Sequence, residues 1–95
     1  MVGYNQIVKS YTYPIVFIFN EETKMYNGFI PDLAIGAEGS TLEEVIAEAQ
    51  KIMTRFFELV VKLQTEVPEP TTLEDTYKKW KGHKVMYVTA NINSK

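Results

Sequence analysis

A chain of 95 residues with 45% hydrophobic side chains can bury one core and is too apolar to stay disordered. It has no cysteine, which excludes a disulfide framework, a thiol nucleophile and cysteine-ligated zinc. A net charge of −2 offers no cationic footprint of the kind a general nucleic-acid binder needs, but it suits an acidic face that docks on a basic partner. The opening stretch Met1–Tyr11 has no long apolar run and does not read as a secretory leader. The longest apolar block, Ile15–Phe19, is far too short to span a bilayer, so a single cytoplasmic domain over residues 1–95 is expected.

Tyr13–Phe19 is β-branched and aromatic, with apolar residues on both faces. This predicts a central strand covered on both sides, with Pro14 at its beginning because proline cannot donate to a ladder. Asn20–Lys24 is polar and turn-like, Met25–Ile30 returns as a second strand, and Ile35–Glu38 makes a short third strand after Pro31-Asp32. Next comes a long helix over Thr41 to about Thr65, roughly 37 Å in length. Ser40 and Thr41 supply N-cap oxygens and Glu43 and Glu44 complete a capping box. Leu42, Val45, Ile46, Ala49, Ile52, Met53, Phe56, Val60 and Leu63 form its apolar stripe, which Phe57 widens. Val67-Pro68-Glu69-Pro70 stops this helix, and Thr71 or Thr72 caps a short second one through about Trp80, closed by Gly82. Lys84–Ile92 alternates as a final strand. The expected fold is α+β in the order βββααβ: a three-stranded antiparallel meander, the long helix across one face, a short second helix and the final strand.

Four segments, taken in order, resemble HicB antitoxins: Tyr13-Pro-Ile-Val-Phe17, Phe29-Ile-Pro-Asp-Leu33, Gly39-Ser-Thr-Leu-Glu-Glu44 and Pro68-Glu-Pro-Thr71. Thr72-Leu-Glu-Asp75 and the last strand also look like the family's later portion, so the resemblance covers about residues 13 to 92. It rests on the joint order and spacing of these segments. The resemblance implies a degraded ribonuclease-H-like fold that has lost catalysis, with no cofactor. It also implies a protein partner, a HicA-type toxin that cleaves mRNA with a catalytic histidine and whose site the antitoxin covers. Two features depart from the family pattern: Ala34-Ile35-Gly36 stands where the family usually has Pro-Gly-Cys, and the loop to Gly39 is one residue shorter. Many members carry a C-terminal DNA-binding domain. Here Asn91–Lys95 leaves no room for one, so DNA binding is not expected.

Asp32, Glu38, Glu43, Glu44 and Glu48 could suggest a two-metal hydrolase site. The plainer reading places Glu43 and Glu44 in a first helical turn, where they complement the helix dipole, and Glu48 on a solvated face. Tyr13–Phe19 contains no carboxylate, which a nuclease of this fold would need there, so no metal and no catalytic residue are expected. His83, the single histidine, reads as a solvated loop residue beside Gly82. Tyr77, Lys78, Lys79, Trp80, Lys81 and Lys84 interleave aromatics with lysines, which would suit single-stranded nucleic acid. The alternative is an amphipathic helix that buries Tyr77 and Trp80. Asp32, Leu33, Ile35 and Glu38 are the candidate partner-binding residues, on an edge strand able to recruit a partner. Leu33 and Ile35 are equally suited to the core. Homo-oligomerisation is expected through strand edges and a projecting helix end at Phe56, Phe57, Val60 and Val61.

Overall fold

The computed structural model describes residues 7–94. The first six residues of the opening segment, and Lys95, lie outside the described part. The elements follow in the expected order: β1 (Ile7–Asn20), β2 (Met25–Ile30), β3 (Ile35–Gly39), α1 (Leu42–Leu63), α2 (Leu73–Lys79) and β4 (Lys84–Ser94). All pairings are antiparallel and the sheet runs β3-β2-β1-β4, so the last strand lies against the first.

β1 starts at Ile7, well before the predicted Tyr13. The extra residues, Ile7-Val-Lys-Ser-Tyr-Thr12, mix apolar and polar side chains without regular alternation. They become a strand because β4 pairs with them: Ser10 Oγ donates to Asn91 Oδ1 at 2.7 Å, and the Thr12 and Thr89 hydroxyls lie 2.8 Å apart. Pro14 therefore sits inside the strand rather than at its beginning, fully buried opposite Tyr87. β2 starts pairing with β1 only at Val16, so on that side Pro14 has no ladder bond to lose.

The doubly covered strand is present. Tyr13, Ile15 and Phe17 point to α1 and join Ile30, Ile35, Val88, Ala90 and Ile92 in one core with Val45, Ala49, Met53, Phe57 and Val60. On the other face Pro14 and Val16 are buried, and α2 places Trp80 edge-on against Phe29 with ring centroids 4.7 Å apart. Gly28 lets α1 sit close to the sheet, since a Cβ there would fall 2.4 Å from Val45 Cγ1.

Thr41 caps α1, accepting from Glu44 N–H at 3.1 Å. The Glu44 carboxylate reaches back one residue further than a simple capping box predicts, accepting from Ser40 N–H at 2.9 Å and Ser40 Oγ at 2.8 Å. These two bonds hold the Glu44 carboxyl below its usual range. α1 stops at Leu63, short of Thr65, because Gln64 takes a left-handed conformation (φ 55°) and its N–H returns to the Val60 carbonyl. Thr72 caps α2, accepting from Asp75 N–H at 3.1 Å.

Candidate partner-binding surface

Of the predicted partner residues, Glu38 alone is freely exposed; Ile35 is buried and Leu33 half-buried against the core. β3 is an edge strand, with Ile35 and Ala37 turned to α1 and Glu38 to the opposite face. Asp32 is engaged inside the molecule. Its Oδ2 accepts from Thr71 N–H at 2.9 Å and its Oδ1 from Thr71 Oγ1 at 2.7 Å. This bond ties the turn after β2 to the segment joining α1 and α2. Nearby, the Tyr13 hydroxyl donates to the Pro68 carbonyl. Burial, then the charges of Asp32 and Tyr11, push the Tyr13 phenol up from its ordinary pKa.

The helix end differs from its predicted role in packing. Phe57 and Val60 are core, and Phe57 stacks on Tyr11 at 4.0 Å and on Tyr13 at 5.8 Å. Phe56, Leu59 and Leu63 are left exposed at 38%, 56% and 63%. With half-buried Ile52 they make a second apolar stripe at steps of four, three and four; in the sequence Ile52, Phe56 and Leu63 read as part of one broad face and Leu59 as outside it, although its spacing was there to find.

The direction of this stripe follows from Gln50, whose side-chain amide donates to the Thr89 carbonyl on β4 at 3.0 Å. Leu59 lies nine residues further on, about half a turn around the axis, so it faces the β2–β3 side. There the sheet has a step. β1 is 14 residues long, but β2 pairs only with Val16–Asn20. Beside the unpaired half of β1 lies the segment after α1, whose Val67 packs against the core. A shallow groove of about 400 Å³ runs along this step between Ser10–Tyr13 and Val67–Pro70. The segment closing it carries exposed Glu69, and exposed Glu66 immediately precedes it.

The lysine-rich patch is arranged differently. Trp80 is half-buried against Phe29, Lys78 lies 3.5 Å from Glu74, and Tyr77, Lys79, Lys81 and Lys84 are exposed. Glu43 and Glu44 occupy the first turn of α1. Among the described residues no three His, Cys, Asp or Glu side chains gather as a metal site, and no helix is long and apolar enough to cross a membrane.

The family model described as "HicB_like antitoxin of bacterial toxin-antitoxin system" matches residues 13–95. No curated protein sequence matches the chain. Its fold is similar to the N-terminal domain of the Burkholderia pseudomallei antitoxin HicB, with TM-score 0.71 and 18% identity, covering 82% of this chain and 95% of that one. Against the longer B. pseudomallei HicB structure the TM-score is 0.69 at 18% identity, covering 83% of this chain and 61% of that one. A chain of the HicA3 and HicB3 toxin–antitoxin complex matches with TM-score 0.58 and 19% identity, covering 88% of this chain and 100% of that one.

Proposed function

The chain belongs to the HicB-like antitoxin family of bacterial toxin–antitoxin systems, and we propose that it neutralises a HicA-type mRNA-cleaving toxin by covering the toxin's active site, without turnover of its own. This reading places it in the cytoplasm, where the toxin would meet mRNA. One observation carries the choice of surface: Phe56, Leu59 and Leu63 stand exposed on one flank of α1. Apolar side chains grouped on a surface mark an interaction site more often than scattered ones do. Exposed Glu66 and Glu69 stand on the neighbouring segment and suit a basic, RNA-binding partner. The toxin would fill the step beside β1, bury the α1 flank and set its cationic surface against these carboxylates. In this reading Glu38 lies at the margin and Asp32 supports the site from inside.

The test is inhibition of a HicA-type toxin from the same source, measured as RNA cleavage against increasing antitoxin. The wild-type chain is expected to abolish cleavage near equimolar ratio. Leu59→Glu, which puts a charge on the flank and leaves the core alone, should weaken inhibition about thirtyfold, as loss of a central apolar anchor does. Uninhibited cleavage with the wild-type chain would refute the antitoxin mechanism. Full inhibition by Leu59→Glu would move the toxin to another surface.

A further inference from the structure

All 12 carboxylate side chains lie between Glu21 and Asp75. From Thr76 onward the sequence holds five lysines and no acid. The net charge of −2 therefore averages over two unlike parts, and the basic part is dense at Lys78, Lys79, Lys81 and Lys84. A polyanion meets the local field and not the average.

The same stretch presents two aromatic rings. An amphipathic helix that hid both of its aromatics would bury Tyr77, yet Tyr77 is 52% exposed, and Tyr87 on β4 is 49% exposed. Tyr87 is held in place, because its hydroxyl accepts from the N–H of Leu73, the first residue of α2, at 3.1 Å. Tyr77 comes four residues after Leu73 and so stands on the same flank of α2 as the Tyr87 ring. Lys78 adjoins it, Lys81 follows in the turn after α2, and Lys84 opens β4. Lys79 is on the other flank, in a cleft with Asp32, Asp75 and Trp80. Glu74 lies 3.5 Å from Lys78, but both side chains are largely exposed and the pair is weak.

Beyond α2 this face of the sheet continues as a polar floor. Alternation along β4 sets Thr89, Asn91 and Asn93 on the same side as Tyr87. Thr89 meets the Thr12 hydroxyl at 2.8 Å, and Asn91 accepts from Ser10 Oγ at 2.7 Å. These hydroxyls and amides keep further donors and acceptors for a ligand. Neither β1 nor β4 contains a carboxylate.

We propose that this face binds single-stranded RNA. Bases stack on Tyr77 and Tyr87, as aromatic platforms hold unpaired nucleotides. Lys78, Lys81 and Lys84 take the phosphates, and the serine, threonine and asparagine floor bonds ribose 2′-hydroxyls and base edges. An acidic polypeptide would engage the lysines and leave the rings and the floor unused. A duplex keeps its bases stacked on one another, away from the tyrosines, and DNA lacks the 2′-hydroxyl. The site lies on the face of the sheet turned away from α1, so it does not rest on the toxin reading.

Fluorescence anisotropy of the whole chain with labelled oligouridylate of about ten nucleotides tests this. Saturable binding is expected, with Kd rising about twentyfold between about 50 and 200 mM salt, as three phosphate contacts require. Tyr77→Ala should weaken binding about tenfold, and Tyr77→Phe should retain it. Lys81→Gln should flatten the salt dependence by about a third. Glu74→Gln should tighten binding about threefold by releasing Lys78. Lys79→Gln, on the other flank, should leave affinity unchanged. Circular dichroism of each variant shows that it remains folded. Absence of saturable binding at the lowest salt would overturn the proposal. So would a folded Tyr77→Ala chain that binds like the wild type, Lys79→Gln as damaging as Lys81→Gln, single-stranded DNA or duplex RNA bound as tightly, or polyglutamate competing as well as RNA.

Discussion

The Asp32 carboxylate holds Thr71 by both its main-chain N–H and its hydroxyl, at 2.9 and 2.7 Å, joining segments 39 residues apart. A half-buried carboxylate accepting two bonds is a strong anchor, because hydrogen bonds to a charged group contribute about 1.5–3 kcal/mol. Asp32→Ala is expected to cost about 2 kcal/mol and Thr71→Val about 1 kcal/mol in urea denaturation. The double variant should cost less than their sum. Strict additivity would mean that the two groups do not act together.

Gly28→Ala should destabilise by about 1–3 kcal/mol, the usual cost of overpacking a core. The new methyl would meet Val45 Cγ1 at 2.4 Å and Ile15 Cδ1 at 3.1 Å. Shortening Val45 to alanine in the same chain removes the nearer obstacle. Thermal melts of the single and double variants should therefore show the glycine substitution to be much milder beside Ala at position 45.

Trp80→Ala should cost about 2 kcal/mol, because the indole packs edge-on against Phe29 on the second face of the sheet. Replacing exposed Lys79 and Lys81 by glutamine should change stability by no more than about 0.5 kcal/mol. Chemical denaturation of the variants distinguishes a packing role for this segment from a purely superficial one.

Acid should weaken the start of α1 in a way that depends on Glu44. Its carboxyl is held below the ordinary range by the Ser40 hydroxyl and N–H. The contribution to stability is therefore complete above the unfolded carboxylate pKa and is lost as pH falls through the lowered folded value. Between about pH 5 and pH 3 the wild-type chain should lose more stability than Glu44→Gln. Parallel stability–pH curves for the two would contradict this. The group is fully solvated, so added salt should reduce the difference.

The helices, their N-caps and the order of strands were legible because each rests on a local signal: Thr41 and Thr72 as caps, alternation in Met86–Ile92; the stop of α1 was not, because it comes at left-handed Gln64, ahead of Pro68 and Pro70. The first half of β1 was not, because Lys9–Thr12 has no strand pattern until residues some eighty positions away pair with it. Pro14 was misplaced for the same reason: whether a proline breaks a ladder depends on which neighbour is missing. At the surface, Asp32 reads from the sequence as a candidate partner contact, because composition cannot distinguish a carboxylate offered to a partner from one held by Thr71. Phe56 and Phe57 are adjacent aromatics. Helical phase decides between them: Phe57 follows Val45, Ala49 and Met53 at steps of four onto the buried face, where it stacks on Tyr11, and Phe56 falls beside it.

The pairing of β1 with β4 also sets a condition on synthesis. Tyr11 finds Ala90, and Lys9 finds Ile92, across almost the full described length of the chain. A ribosome that has released β1, β2, β3 and α1 has therefore produced a sheet lacking one side of its central strand, with Tyr13 and Ile15 not yet enclosed by Val88 and Met86. Contacts this distant in sequence form late and slowly. The fold becomes complete only after Ser94 has left the exit tunnel, so a message cut within the codons for β4 would yield a chain unable to close its core.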